Sequence, residues 1–353
     1  MSQITIDLYS DTHSKPTDAM RRAMASAEVG DEQQGADPTT KKLEEMVAEL
    51  LGKEAALFLP SGTMCNQISF RVWCEPGDEV VIDSTCHVMH SEAGGAAALS
   101  GATFNVVAGD RGVISPGQLR AAVRPASVYA PRTVLLSVEN TVNFAGGRVW
   151  PLDALQAVTA AASDCGLKRH MDGARLMNAV VASGVSAADF AATVDSCWID
   201  LSKGLGCPVG AVLAGDRDFI RAALRFKHQF GGAMRQSGII AAAGIHALEH
   251  HVTRLAEDHE NARRLAAAVS AIPGVHLDPP EIESNMVYID VAESGWTAPA
   301  LVEALKSDGL LLSVMGPTRL RAVTHIDVTT GMVDEAAARL AQRLSEPPRA
   351  VAE

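Results

Sequence analysis

Short apolar runs alternating with helical stretches constrain the fold of this chain more than any other feature. "AALFL" (55–59), "EVVID" (79–83), "TVLLSV" (133–138), "KRHMD" (168–172), "CWIDL" (197–201) and "GAVLAG" (210–215) are each five or six residues long. Runs of this length, separated by helices or long connections, predict buried strands in a largely parallel sheet covered on both faces. The clearest helix spans 38–51. Pro38 opens it, Leu43, Met46, Val47, Leu50 and Leu51 keep a helical spacing, and Gly52 stops it. The alternating α/β region covers about residues 40–240. After it, 237–272 predicts one long helix ending before Pro273-Gly274. Strands near 285–291 and 319–328, a helix between them and a last helix from about 331 predict a smaller α+β domain.

Composition excludes several partners. The formal net charge is -12 and no run of lysine or arginine marks a phosphate-backbone footprint, so nucleic acid is not an expected partner. Nowhere do eighteen apolar residues run together, and the N-terminus lacks a basic segment followed by an apolar one, so neither a membrane span nor a signal peptide is expected. Cys65, Cys74, Cys86, Cys165, Cys197 and Cys207 form no C-x-x-C pair, which fits small buried residues in a reducing compartment. A cytoplasmic protein is expected.

In an open parallel sheet, ligands sit at the carboxyl ends of the strands. Ser61-Gly62-Thr63 follows "AALFLP" and opens a helix, so its backbone N–H groups and hydroxyls suit a phosphate. His87 follows "EVVIDSTC", and Asp172 closes "KRHMD" ahead of Gly173, Ala174 and Arg175. Lys203 stands in "WIDLSKGLGCPVG", between an apolar run and two glycines. A lysine among apolar groups loses hydration, which favours the neutral, nucleophilic amine a Schiff-base lysine needs. A phosphate turn, an aromatic ring, a carboxylate and a lysine are what pyridoxal phosphate requires. Each feature has a plainer reading. Lys203 could snorkel, Asp172 could cap a helix, Gly62 and Thr63 could be turn residues, His87 could be a satisfied buried histidine, and Arg175 and Arg321 could form ion pairs. His246, Glu249 and His250 fit H-x-x-E-H, but they lie on the long helix outside the presumed cleft. No metal is expected.

The stretches "SDTHSKPTDAM", "VGDEQQGADPTTKKLEE", "LFLPSGTMCNQ", "HVMHSEAGGAAALSG", "VENTVNFAGGRVWPLDAL", "HMDGARLMNA", "DLSKGLGCPVGAVLAG", "GGAMRQSGIIAAAG", "LAEDHENARRLA" and "RAVTHIDV" run through nearly the whole chain. In that order they resemble the threonine aldolase family, in the group that also holds the aromatic amino acid beta-eliminating lyases. The resemblance implies an α/β chain of pyridoxal phosphate fold type I, like aspartate aminotransferase, with a mostly parallel seven-stranded sheet. The expected organisation is an N-terminal arm and substrate-site segment over 1–39, a cofactor-binding domain over 40–240, and a linking helix with a small C-terminal domain over 241–353. Further implied are a Schiff base on Lys203, phosphate contacts from Gly62 and Thr63, His87 stacked on the ring, and Asp172 at the pyridine nitrogen. Arg175 would contact the cofactor or substrate, and Ser10 and Arg321 the substrate carboxylate. A guanidinium fork suits that carboxylate independently. The implied reaction is reversible cleavage of a 3-hydroxy-α-amino acid to glycine and an aldehyde. Beta-elimination, racemisation and glycine transfer to another aldehyde are the alternatives. A homodimer at least, and a tetramer by family habit, is implied.

Three departures lie at expected substrate positions. Val142 replaces the family's histidine after "ENT", Gln34 replaces a tyrosine, and Tyr9 replaces an arginine while His13 appears three residues after Ser10. One expectation is that His13 supplies the imidazole absent at 142.

Overall fold

The computed structural model describes residues 3–347. Its contacts divide the chain into two compact units, one of residues 16–252 and one of 1–15 with 253–353. The expected 1–39 segment is thus shared between them.

The 16–252 unit is built on a seven-stranded sheet. Its spatial order is Ala55–Leu59, Ala211–Gly215, Ser196–Asp200, Lys168–Asp172, Thr133–Glu139, Glu79–Asp83 and Thr103–Val107. Ala211–Gly215 is antiparallel to both neighbours, and the remaining pairings are parallel. Ser196–Asp200, Glu79–Asp83 and Ala211–Gly215 are buried along their whole length, which explains why they read as apolar runs rather than alternating ones. Strand Thr103–Val107 escaped the sequence reading. It is an edge strand of exposed and half-buried residues, so no continuous apolar run announces it.

Local signals set the helices. Asp37 caps Pro38–Leu51 by accepting the Thr40 N–H at 2.8 Å, and Gly52 ends it in the left-handed region at φ 60°. The single helix expected over 237–272 is corrected to two, Gly238–His250 and Leu255–Val269. The break falls at His251, whose buried ring donates from Nδ1 to the Leu205 carbonyl at 2.7 Å. Apolar periodicity carries no record of such a tertiary tether.

The other unit holds an antiparallel sheet ordered Ser313–Val314, Arg319–Val323, Met286–Asp290 and His276–Leu277. Strand Ile6–Asp7 pairs in parallel with Leu310–Leu311. Helices Leu255–Val269, Ala298–Ser307 and Thr330–Ser345 contribute Leu265, Leu301 and Leu340 to one core with Val287, Ile289 and Leu320.

Candidate active site

Four adjacent strands of the large sheet end on a carboxylate: Asp200, Asp172, Glu139 and Asp83. Asp83 is consumed locally, accepting from the Thr85 N–H at 2.7 Å and the Gly109 N–H at 2.7 Å. The others face the groups that follow the strands.

Asp172 is buried, with Oδ1 accepting from the Ala174 N–H at 3.0 Å and Oδ2 from Asn66 Nδ2 at 2.8 Å. Burial raises its pKa above the usual carboxylate value and Glu92 adds to the rise, while Lys203, His87 and the Asn66 hydrogen bond oppose it. His87 donates from Nδ1 to Glu92 Oε1 at 3.0 Å, and its own N–H reaches Glu139 Oε2 at 2.7 Å. Burial alone would lower the His87 pKa. The Glu92 hydrogen bond and the charges of Asp172 and Glu139 outweigh it, so the imidazole stays protonated to higher pH than usual. Burial first and Asp172 second push Glu139 up to about 7, against the N–H groups of Asn143 and His87.

Ser61 caps helix Gly62–Trp73, accepting the Met64 N–H at 3.2 Å. A Cβ on Gly62 would lie 2.3 Å from Trp198 Cη2, so only glycine lets the indole lie against the first helical turn. Lys203 follows the same strand as Trp198. Its Nζ lies 3.1 Å from Asp200 Oδ2 and 5.8 Å from the Trp198 ring centroid. The expected apolar surroundings of Lys203 therefore include a carboxylate that the sequence reading passed over. Arg175 is buried at the start of helix Leu176–Ser183.

Sequence reasoning also missed Asn66 and Glu92, although both lie inside the stretches that carry the resemblance. Glu92 is buried, accepting from His87, from Asn66 at 2.8 Å and from Gln67 Nε2 at 2.7 Å. The ligand atoms of His87, Glu92 and Asp172 lie within 4.8 Å of one another, and the oxygens facing the group are engaged by Asn66 and His87. In the H-x-x-E-H stretch the His246 ring packs on His250 and His251, at centroid distances of 4.6 and 5.2 Å. Val142 is 1% exposed and fills the space beside Gly112, where a Cβ would meet its Cγ1 at 2.5 Å. Gln34 closes a short 3-10 turn, Glu32–Gln34.

In the smaller unit, Ser10 Oγ accepts from the Thr12 N–H at 3.2 Å and from Thr12 Oγ1 at 2.9 Å. Arg321 Nη2 donates to the Tyr9 carbonyl at 3.4 Å and approaches Ser313 Oγ at 3.5 Å, which places its head group beside the backbone that leads into Ser10. His13 is turned to a different cluster. Its ring stacks on Tyr9 at 4.8 Å and donates from Nδ1 to Asp7 Oδ2 at 2.9 Å. Two of the departures, Tyr9 and His13, are therefore in contact with each other.

The beta-eliminating lyase family model matches residues 7–292. A low-specificity L-threonine aldolase of Escherichia coli (strain K12) is 41% identical over 334 residues, covering 94% of this chain and 97% of its own. Low-specificity L-threonine aldolase 1 of Arabidopsis thaliana is 40% identical over 334 residues, covering 93% of each. The solved structure of a Leishmania major threonine aldolase superposes with a TM-score of 0.82 at 19% identity, over 96% of this chain and 99% of that one. A Sphingomonas wittichii serine palmitoyltransferase gives 0.75 at 19% identity, over 96% and 87%. These two likenesses show the shared fold, and the matched family model with its close relatives shows that the chain belongs to the beta-eliminating lyase family.

Proposed function

We propose that this protein is a pyridoxal phosphate-dependent lyase that reversibly cleaves a 3-hydroxy-α-amino acid to glycine and an aldehyde. The observation that carries the reading is that Lys203, Asp172, His87 and the helix N-terminus at Gly62 all follow or end strands of one sheet at their carboxyl ends. The donor set fits the cofactor. Helix Gly62–Trp73 offers backbone N–H groups and a dipole to a phosphate, Asp172 offers a buried anion to a pyridine nitrogen, His87 offers a flat ring, and Lys203 an amine for the aldehyde carbon. Gly62, Thr63, His87, Asp172, Arg175 and Lys203 would hold it. When bound, the cofactor supplies an electron sink for the bond broken at Cα.

The chain's own residues then orient and move protons. Lys203, held 3.1 Å from Asp200 Oδ2, would carry the cofactor's aldehyde carbon. Asp172 would face the pyridine nitrogen and favour its protonated form. His87, with Nδ1 committed to Glu92, presents Nε2 as a proton acceptor or donor near the cleft. Ser10 and Arg321 are assigned to the substrate carboxylate on the resemblance and on the match of a guanidinium fork to a carboxylate. His13 is proposed as a substrate contact on sequence grounds, and its bond to Asp7 fixes its tautomer. The five buried cysteines, Cys65, Cys74, Cys86, Cys197 and Cys207, support a reducing, cytoplasmic setting, and family membership supports a homo-oligomer.

The test is to load the protein with pyridoxal phosphate and quantify glycine and aldehyde from threonine, allo-threonine and phenylserine in both configurations. Equal amounts of the two products are expected. Ammonia with a keto acid would favour beta-elimination, and neither product pair would overturn the aldolase reading. Because the Val142 side chain cannot hydrogen-bond, Val142→His is expected to change the ranking of those substrates, and an unchanged ranking would remove any role for this position in selection.

A further inference from the structure

Asn66 lies one turn into helix Gly62–Trp73 and is fully buried. Its Nδ2 donates to Asp172 Oδ2 and to Glu92 Oε1, each at 2.8 Å. Its Oδ1 accepts from Trp198 Nε1 at 2.7 Å and from His170 Nε2 at 3.2 Å. An indole nitrogen can only donate, so Oδ1 has to face it, and the orientation of the amide is fixed. The chain of donors extends further back. His170 is buried and kept neutral, its pKa driven down to about 3 by burial. With Nε2–H aimed at Asn66, its Nδ1 accepts from Ser196 Oγ at 2.9 Å, and Ser196 Oγ accepts from Trp73 Nε1 at 2.9 Å. Every hydrogen bond from Trp73 through Ser196, His170 and Asn66 therefore points toward the two carboxylates. Bonds aligned in one direction in a buried setting polarise one another and resist reorientation.

We propose that Asn66 is a positioning residue, whose single amide holds Asp172 and the Glu92–His87 pair in one rigid arrangement toward the cofactor. The proposal rests on the reading that the cleft holds pyridoxal phosphate. Asn66→Ala removes both donors and leaves Asp172 and Glu92 beside each other without a shared partner. Asn66→Asp keeps the shape and replaces the donor with a third carboxylate.

The experiment compares these two variants with the wild type after cofactor loading. Both are expected to bind pyridoxal phosphate roughly 10- to 100-fold more weakly, the scale of a lost hydrogen bond to a charged group, with kcat lowered more than KM. The visible circular dichroism band of the lysine-bound cofactor, which reports how rigidly the ring is held, is expected to weaken in both. Asn66→Asp is expected to be at least as damaging as Asn66→Ala, whereas a residue that only fills space would tolerate the isosteric aspartate better. Wild-type affinity and an unchanged band in folded variants would overturn the proposal. Should neither variant fold, His170→Phe keeps a ring and removes the donor behind the amide. A few-fold weaker affinity and a weaker band are expected there, and no change would likewise overturn it. If the wild type itself shows no lysine-bound cofactor absorption, the cofactor reading fails instead.

Discussion

Trp198 shows how much a single side chain organises here. Its indole lies against the first turn of helix Gly62–Trp73, donates to Asn66 and lies 5.8 Å from the Lys203 amine. Gly62→Ala would place a methyl group 2.3 Å from that ring. A cost of about 1–3 kcal/mol is expected from overpacking, with a matching loss of cofactor affinity. Thermal unfolding and cofactor titration check this, and a variant unchanged in both would contradict the packing account. Lys203, Asp172 and His87 stood out in the sequence because each ends or follows a strand and is chemically conspicuous. Asn66, Glu92 and Asp200 did not, since a buried amide or carboxylate in a helix, bend or strand looks like any other polar residue until its partners are known.

At the scale of elements, buried carboxyls raised by desolvation lie both at strand ends, as Asp172 and Glu139, and on a helix, as Glu44. Glu44, on helix Pro38–Leu51, accepts the Phe58 N–H at 2.9 Å. Burial pushes it from 4.5 up to about 7, with the Phe58 N–H and Lys227 opposing and Glu32 adding. A carboxyl raised in the folded state keeps its proton where the unfolded chain has lost it. Its contribution to stability therefore falls as pH rises from about 4.5 to about 7. Glu44→Gln keeps the acceptor for Phe58 and does not titrate. Its advantage over the wild type is expected to be absent near pH 4.5 and to grow to about 1–3 kcal/mol at pH 8, read as thermal midpoints across pH. A gap independent of pH would contradict this. Strand content was legible where burial on both faces made an apolar run. It failed at Thr103–Val107, whose edge position leaves it half wet, and at the helix break near His251, where the ring bonds a carbonyl 46 residues away.

For the whole molecule, a mostly parallel sheet follows from the alternating pattern, and the proposed cofactor groups lie within one unit, residues 16–252. The carboxylate-binding candidates Ser10 and Arg321 belong to the other unit, in segments more than 300 residues apart that share one core through Ile6, Leu8 and Leu320. That grouping was invisible to local periodicity, and only the resemblance pointed to it. The central claim is that Lys203 carries pyridoxal phosphate and that glycine release depends on it. The most direct measurement compares the wild type with Lys203→Ala for visible cofactor absorption and for glycine formed from a 3-hydroxy amino acid. The expected result is a lysine-bound absorption band in the wild type alone and a loss of glycine release on the order of a thousand-fold or more in the variant. Glycine released by Lys203→Ala at the wild-type rate would contradict the account.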